Sequence, residues 1–284
     1  MKARWFFTVA LVAILSAPLA AADAKNKRLL LVTDSGGFVH DSVGLAEEVL
    51  KDIGPKNGFD VTCYRFTREP KEDVLAKYSK DFRSRTGLPV EKENCGRINK
   101  ETLKNFDLVL FFTTGNPLNK SELVDLQEWV KAGGAFAGTH CATDTLYNTT
   151  YGELVGGYFD GHPWHQKIKV HVEDPKHAAA AGFTTGDAIT DEIYQFRAVP
   201  YSRDKLHIIL SVDNSSIDYK KGKRKDNDYA ISWCQEVGKG RSFYTSLGHR
   251  KEVWKDERFQ KHLLGGLKWT LHQAEGSATP SSAK

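Results

Sequence analysis

Apolar residues in this chain fall into short continuous runs separated by amphipathic stretches. Arg28-Leu29-Leu30-Leu31-Val32-Thr33 has the unbroken apolar character of a strand covered on both faces. Asp34-Ser35-Gly36-Gly37 interrupts it, and helical spacing follows from about Ser42 to Ile53. Asp60–Phe66 and Asp107–Thr113 read as second and third strands. Lys120 to Lys131 predicts an amphipathic helix, with Ser121 as a candidate cap and Gly133-Gly134 as its stop before a fourth strand, Ala135–Thr139.

Strands alternating with helices over residues 28–145 predict a parallel, doubly wound α/β sheet, because parallel neighbours need a crossover connection. Between Thr67 and Asn99 the chain is charged and irregular, and a surface insertion is expected there. From Lys167 the character changes. Strand-like runs at Lys167–Val172, Leu206–Val212, Tyr229–Glu236 and Arg241–Ser246 stand between short polar turns and predict antiparallel additions in the C-terminal half. An amphipathic helix from Asp256 to Leu271 closes the fold, leaving a domain over residues 23–273 and a tail, 274–284, expected to be disordered.

The N-terminus alters the picture. Lys2 and Arg4, an apolar run from Trp5 to Leu15 and the small residues Ser16 to Ala22 fit a secretory signal over residues 1–22, so a periplasmic or secreted protein is expected. The run is shorter than the roughly 20 residues a membrane span needs, so stable membrane insertion is not expected. Over the whole chain 40 Lys+Arg face 36 Asp+Glu. Losing Lys2 and Arg4 with the signal lowers the net charge from +4 to +2, too balanced to imply nucleic acid. The basic run Lys220–Lys225 between two strand patterns reads as a solvated hairpin loop. Cys63, Cys95, Cys141 and Cys234 have no CxxC spacing, which argues against a zinc knuckle. A Cys63–Cys95 bridge that staples the insertion is one of three possible pairings, and Cys234 reads as a buried thiol.

In open α/β sheets ligands gather at the carboxyl ends of the strands. The first strand delivers Asp34 to His40 there, the third Thr113-Thr114-Gly115-Asn116, and the fourth Gly138-Thr139-His140-Cys141 with Asp144 close behind. Gly36-Gly37 reads as a tight turn in preference to a phosphate cradle. The fourth loop resembles the strand-to-helix turn on which nucleophile-elbow enzymes expose a side chain, with His140 at the elbow and Cys141 expected under the following turn. The aromatic, glycine-rich segment Gly156 to His165 holds His162 and His165 three apart, a spacing found in metal sites, although such a pair alone is more often incidental. Asp191-Glu192 precedes a short strand, and His249 follows another. His171, His207, His262 and His272 fit packing or surface roles, and His177 is left open.

Gly138-Thr139-His140 with Asp144, Gly156-Gly157-Tyr158-Phe159, Gly161-His162-Pro163, Asp191-Glu192-Ile193-Tyr194, Gly238 to Tyr244 and Ser246-Leu247-Gly248-His249 are together similar to the trehalose-utilisation (ThuA-like) family, over about Lys27 to Leu271. The resemblance implies a variant of the class I glutamine amidotransferase fold, with a flavodoxin-like sheet. It also implies catabolism of disaccharides and other glycosides, 3-keto sugars included. Amidotransferases carry a cysteine nucleophile where this chain has His140, so glutamine hydrolysis is disfavoured. Asp174 to Ala179 departs from the family pattern at the position of an expected His-Pro, which puts a role for His177 in doubt.

The expected activity is therefore a metal-assisted hydrolase or lyase acting on a carbohydrate, with a non-catalytic carbohydrate-binding module as the alternative. Neutral imidazoles favour zinc or a neighbouring divalent ion, which can polarise a sugar carbonyl or activate water. His162, His165 and His249 are the candidate ligands, with His140, Glu192 and Asp144 as catalytic residues. His40, Trp164, Tyr158 and Tyr194 are the candidate sugar contacts, the aromatic rings offering flat faces to a pyranose. The oligomeric state has no signature in the sequence.

Overall fold

The computed structural model describes Met1 and residues 25–69 and 71–283, so the expected signal segment lies almost wholly outside the described residues. The strands are β1 (Lys27–Val32), β2 (Phe59–Tyr64), β3 (Leu108–Phe111), β4 (Ala135–Thr139), β5 (Trp164–Val172), β6 (Ala188–Ile193), β7 (His207–Val212), β8 (Ala230–Val237) and β9 (Gly240–Thr245). Helices α1 (Val43–Lys56), α2 (Glu72–Thr86), α3 (Lys100–Leu103), α4 (Lys120–Lys131), α5 (Tyr151–Val155), α6 (Lys251–Lys255) and α7 (Glu257–Thr270) accompany them.

All nine strands join one sheet in the order β2-β1-β3-β4-β9-β8-β7-β5-β6. The pairs from β2 to β9 are parallel and those from β9 to β6 antiparallel, as the change of pattern after residue 167 predicts. β9 takes the fifth place of a doubly wound sheet, and the order reverses between β1 and β3, where a ligand crevice is expected.

Successive residues of β1 explain the unbroken apolar runs. Leu29 and Leu31 join a core with Val43, Ala46 and Leu50 of α1 and Leu263 and Leu267 of α7, while Leu30 and Val32 face Leu123, Leu126 and Val130 of α4. Each fully buried Leu contributes roughly 1.5–3 kcal/mol, so two covered faces favour this register strongly over a one-residue slip. Asn119, not Ser121, caps α4, and its box with Glu122 satisfies free N–H groups at the first turn.

The stretch expected to be an irregular insertion contains α2, which buries Phe82 in the same core cluster as Val90. Its apolar stripe is only Leu75, Tyr78 and Phe82, with the first two partly buried, and charged residues fill most of the remaining positions. Cys63 lies buried in β2 and forms no disulfide with Cys95.

The tail expected to be disordered is fastened to β7. Ser281 Oγ accepts a hydrogen bond from Ile208 N at 2.8 Å, and Ser281 N donates to Leu206 O at 3.0 Å. Thr279 O contacts His207 Nδ1 at 2.6 Å, and Trp269 Nε1 donates to Gly276 O at 3.0 Å. The cause lies in the sheet: β5 pairs with β7 only at Leu210, Ser211 and Val212, so the first half of β7 has an open edge that the tail covers.

Candidate functional site

The carboxyl ends of β1, β3, β4, β9 and β6 and the start of β5 share one edge of the sheet, and the candidate residues meet there. After β1 the chain turns sharply, with Gly36 N donating to Thr114 O and Gly37 N to Thr114 Oγ1, both at 3.1 Å. These amides stitch β1 to β3 and are not free for a phosphate. The turn delivers His40, which is buried and whose Nδ1 makes no hydrogen bond.

β4 ends in the expected elbow. His140 has φ 45°, a left-handed conformation that costs a non-glycine residue roughly 1–3 kcal/mol and persists only where the surroundings enforce it. Here they do. Its Nδ1 lies 2.9 Å from Ser246 O, its carbonyl accepts from Tyr244 Oη at 2.6 Å, and its ring is fully buried. A carbonyl oxygen only accepts, so Nδ1 carries the hydrogen of the neutral ring and Nε2 presents a lone pair to the site. Cys141 is buried in the core beneath, and burial pushes its thiol well above the ordinary cysteine range.

Asp191 and Glu192 lie inside β6 rather than ahead of a strand, and the two-residue alternation separates their roles. Asp191 is buried and accepts from Gly248 N at 2.8 Å and Arg250 N at 3.0 Å, fixing the loop on either side of His249. Glu192 turns into the site. Its Oε2 lies 3.5 Å from His140 Nε2 and 3.3 Å from His249 Nδ1, and its Oε1 lies 3.5 Å from His162 Nδ1. His140 Nε2 and His249 Nδ1 are 3.3 Å apart. Ligand atoms of His40, His140, Glu192 and His249 all fall within 4.8 Å of one another, so these are the residues that could hold a metal.

The electrostatics follow from this crowding. Burial lowers His40, His140 and His249 lower it further, and its pKa falls to about 2, so His40 stays neutral. Burial would raise Glu192, but its contacts with the His140 and His249 rings outweigh it and hold the carboxyl well below its ordinary range. His249 is raised, burial being outweighed by its bond to Glu192. Asp144 moves the other way: burial raises it, partly offset by a hydrogen bond from Tyr147.

A cavity of about 350 Å³ opens over this group, lined by Phe38, His40, Asp144, Phe159, His162, Glu192, Tyr194 and His249. Of the expected sugar contacts, His40 and Tyr194 line it, and Trp164 and Tyr158 do not. Trp164 alternates away from His165 along β5 into the core, where Nε1 donates to Asp218 O and the ring meets Tyr229 edge-on. The Tyr158 hydroxyl is occupied by Thr149 O, Leu146 O and Gly152 N. Of the expected metal ligands, only His249 belongs to the four-residue group. His162 sits on the outer oxygen of Glu192, and His165 is an exposed residue of β5 beside Arg250 and the His249 ring. Exposed Phe38 and half-buried Phe159 line the cavity and were not among the expected sugar contacts. Asp191 was named from the sequence only as half of an acidic pair with Glu192, although alternation along a strand separates their roles.

The model of the ThuA family, described as trehalose utilisation, matches residues 28–270. Among solved structures, a ThuA-like protein from Bacteroides uniformis aligns with TM-score 0.62 and 19% identity, over 94% of this chain and 99% of the other. One from Parabacteroides merdae aligns with TM-score 0.62 and 16% identity, over 89% and 92%. A cytoplasmic protein from Salmonella typhimurium gives TM-score 0.51 and 12% identity, over 86% and 98%. At such identities these structures bear on the fold alone. A comparison with curated proteins gave no match.

Proposed function

Since this chain belongs to the trehalose-utilisation (ThuA) family and so to a carbohydrate-related group, we propose that it is an exported, metal-assisted hydrolase or lyase acting on a glycoside or its 3-keto derivative. The observation that carries the proposal is the triangle of His140 Nε2, His249 Nδ1 and Glu192 Oε2, with edges of 3.3, 3.3 and 3.5 Å. Ligands about 2.1 Å from a tetrahedral zinc ion stand about 3.4 Å from each other, so two imidazoles and a carboxylate at this spacing suit such an ion, with His40 within 4.8 Å as a further donor. The buried, unpartnered Nδ1 of His40 supports the fit. A cation held by His140, Glu192 and His249, with His40 in reach as a further donor, would keep a position for a sugar carbonyl or a bound water and supply a Lewis acid to it.

The remaining work falls to the cavity walls. Phe38 and Phe159 offer ring faces to a pyranose. His162, oriented by Glu192 Oε1, takes a proton from water in hydrolysis, or from the carbon beside a keto group in elimination. Asp144, whose raised pKa favours its protonated form, donates to the glycosidic oxygen as its bond to the anomeric carbon breaks in hydrolysis. In hydrolysis water oxygen then forms the new bond to that carbon; in elimination the electron pair of the broken C–H bond forms a double bond as the glycosidic oxygen leaves with the proton from Asp144, so protons balance in both.

The test is turnover of glycosides and 3-keto-glycosides by protein loaded with zinc, manganese or nickel. The proposal expects His140→Ala and Asp144→Asn each to lower kcat at least 100-fold. Saturable sugar binding without product under any of the three metals would replace it with a binding module. The basic, apolar and small-residue order of residues 2–22 supports export. Recovery of an unprocessed N-terminus from the cytoplasm would contradict that part.

A further inference from the structure

The cavity over the histidine–carboxylate group does not end at His249. The same side chain lines a second depression of about 290 Å³, whose other walls are Asp41, His165, Arg250, Lys251 and Glu252. The two compartments differ in chemistry. The first presents aromatic faces beside the catalytic group. The second has no aromatic wall other than imidazole and presents both signs of charge in short-range pairs: Lys251 Nζ to Asp41 Oδ2 at 3.1 Å and Arg250 Nε to Glu252 Oε2 at 3.3 Å. Arg250 Nη1 also lies 3.5 Å from His165 Nε2.

We propose that this second compartment is the binding site for the leaving unit of a disaccharide, so that the bond to be cleaved lies across His249. The proposal rests on the reading of the first compartment as a glycoside site. A ring rich in hydroxyls both donates and accepts, and a wall that alternates guanidinium, ammonium and carboxylate groups can meet it in both senses. An apolar aglycone would displace water from these ion pairs and offer no hydrogen bond in return. Asp191 sets the register, since it binds Gly248 N and Arg250 N and so fixes His249 and Arg250 in one rigid turn between the compartments. The expected histidine pair is thereby divided: His162 serves the first compartment and His165 the second.

Calorimetric titration of the full-length mature protein, zinc-loaded, tests this with trehalose and methyl α-D-glucopyranoside and with the 3-keto form of each. The disaccharide of a pair is expected to bind at least tenfold more tightly than its methyl glycoside. Arg250→Ala should remove most of that advantage, Arg250→Lys should restore part of it, and the methyl glycoside affinity should change far less than that of the disaccharide. Equal affinity for the two members of a pair would overturn the second compartment while leaving the first intact. So would an Arg250→Ala loss of equal size for both. Absence of binding by all four sugars would overturn the glycoside reading and the second compartment together.

Discussion

The Tyr194 hydroxyl lies 3.0 Å from His140 Nε2, while His140 Nδ1 is held 2.9 Å from Ser246 O. Burial keeps the Tyr194 phenol protonated by raising it well above its ordinary range. It is therefore the donor, and the lone pair it engages is the one that would face a metal ion. Tyr194 and a cation would compete for one atom.

Removing the competitor should tighten the site. Tyr194→Phe keeps the ring between Phe159 and His140 and deletes only the hydroxyl. A hydrogen bond of about 1.4 kcal/mol lost to the metal-free protein corresponds to roughly tenfold tighter zinc binding. Competition against a chromophoric chelator measures it, and an unchanged or weaker affinity would remove His140 Nε2 from the ligand set.

Much of this arrangement is legible in the chain, for identifiable reasons. β1 and β3 are apolar throughout because both faces are covered, and the elbow shows itself as Gly138-Thr139-His140 because Gly138 must let Ala142 approach. The grouping of His140, Glu192 and His249 is not legible, since residues more than 50 positions apart meet only after β9 and β6 take their places in the sheet order. Metal-like spacing within one segment pointed instead to His162 and His165, whose side chains diverge once β5 begins between them. Trp164 and Tyr158 look like sugar platforms in sequence, but their polar atoms are tied to backbone groups in the core.

Cys141 should be inert. Its thiol is buried and its pKa is raised by that burial, so iodoacetamide should leave it unmodified in the native protein. Cys141→Ala should cost about 1 kcal/mol of stability and leave turnover within twofold of the parent. Rapid alkylation coupled to loss of activity would revive a thiol mechanism.

Acid should destabilise the fold through histidines remote from the site. Burial and then His207 lower His177 to about 3, and burial lowers His262 to about 4. Unfolded, both titrate near 6.5, so between that pH and about 4 the unfolded chain binds protons that the native one refuses. Stability therefore falls as pH drops through this window, by about 1.4 kcal/mol per pH unit for each group at most. Urea midpoints at pH 7, 6 and 5 measure the slope. His177→Asn should flatten it by nearly one proton, and an identical slope in the variant would contradict the assignment.

The C-terminal segment should matter for stability. It covers His177 and His207 and closes the open edge of β7 through Ser281. Deleting residues 275–284 should lower unfolding free energy by on the order of 2–4 kcal/mol. An unchanged denaturation midpoint would mean that the segment contributes no net stabilisation.

The central claim is that His140, Glu192 and His249 share one cation, and metal content after equilibrium dialysis against zinc measures it most directly. The parent should retain close to one equivalent per chain, and His140→Ala, Glu192→Gln and His249→Ala should each fall below about a tenth of that at the same free zinc, since each removes one of the three ligands that define the site. Equal zinc in the parent and all three variants, or none in the parent, would contradict the account.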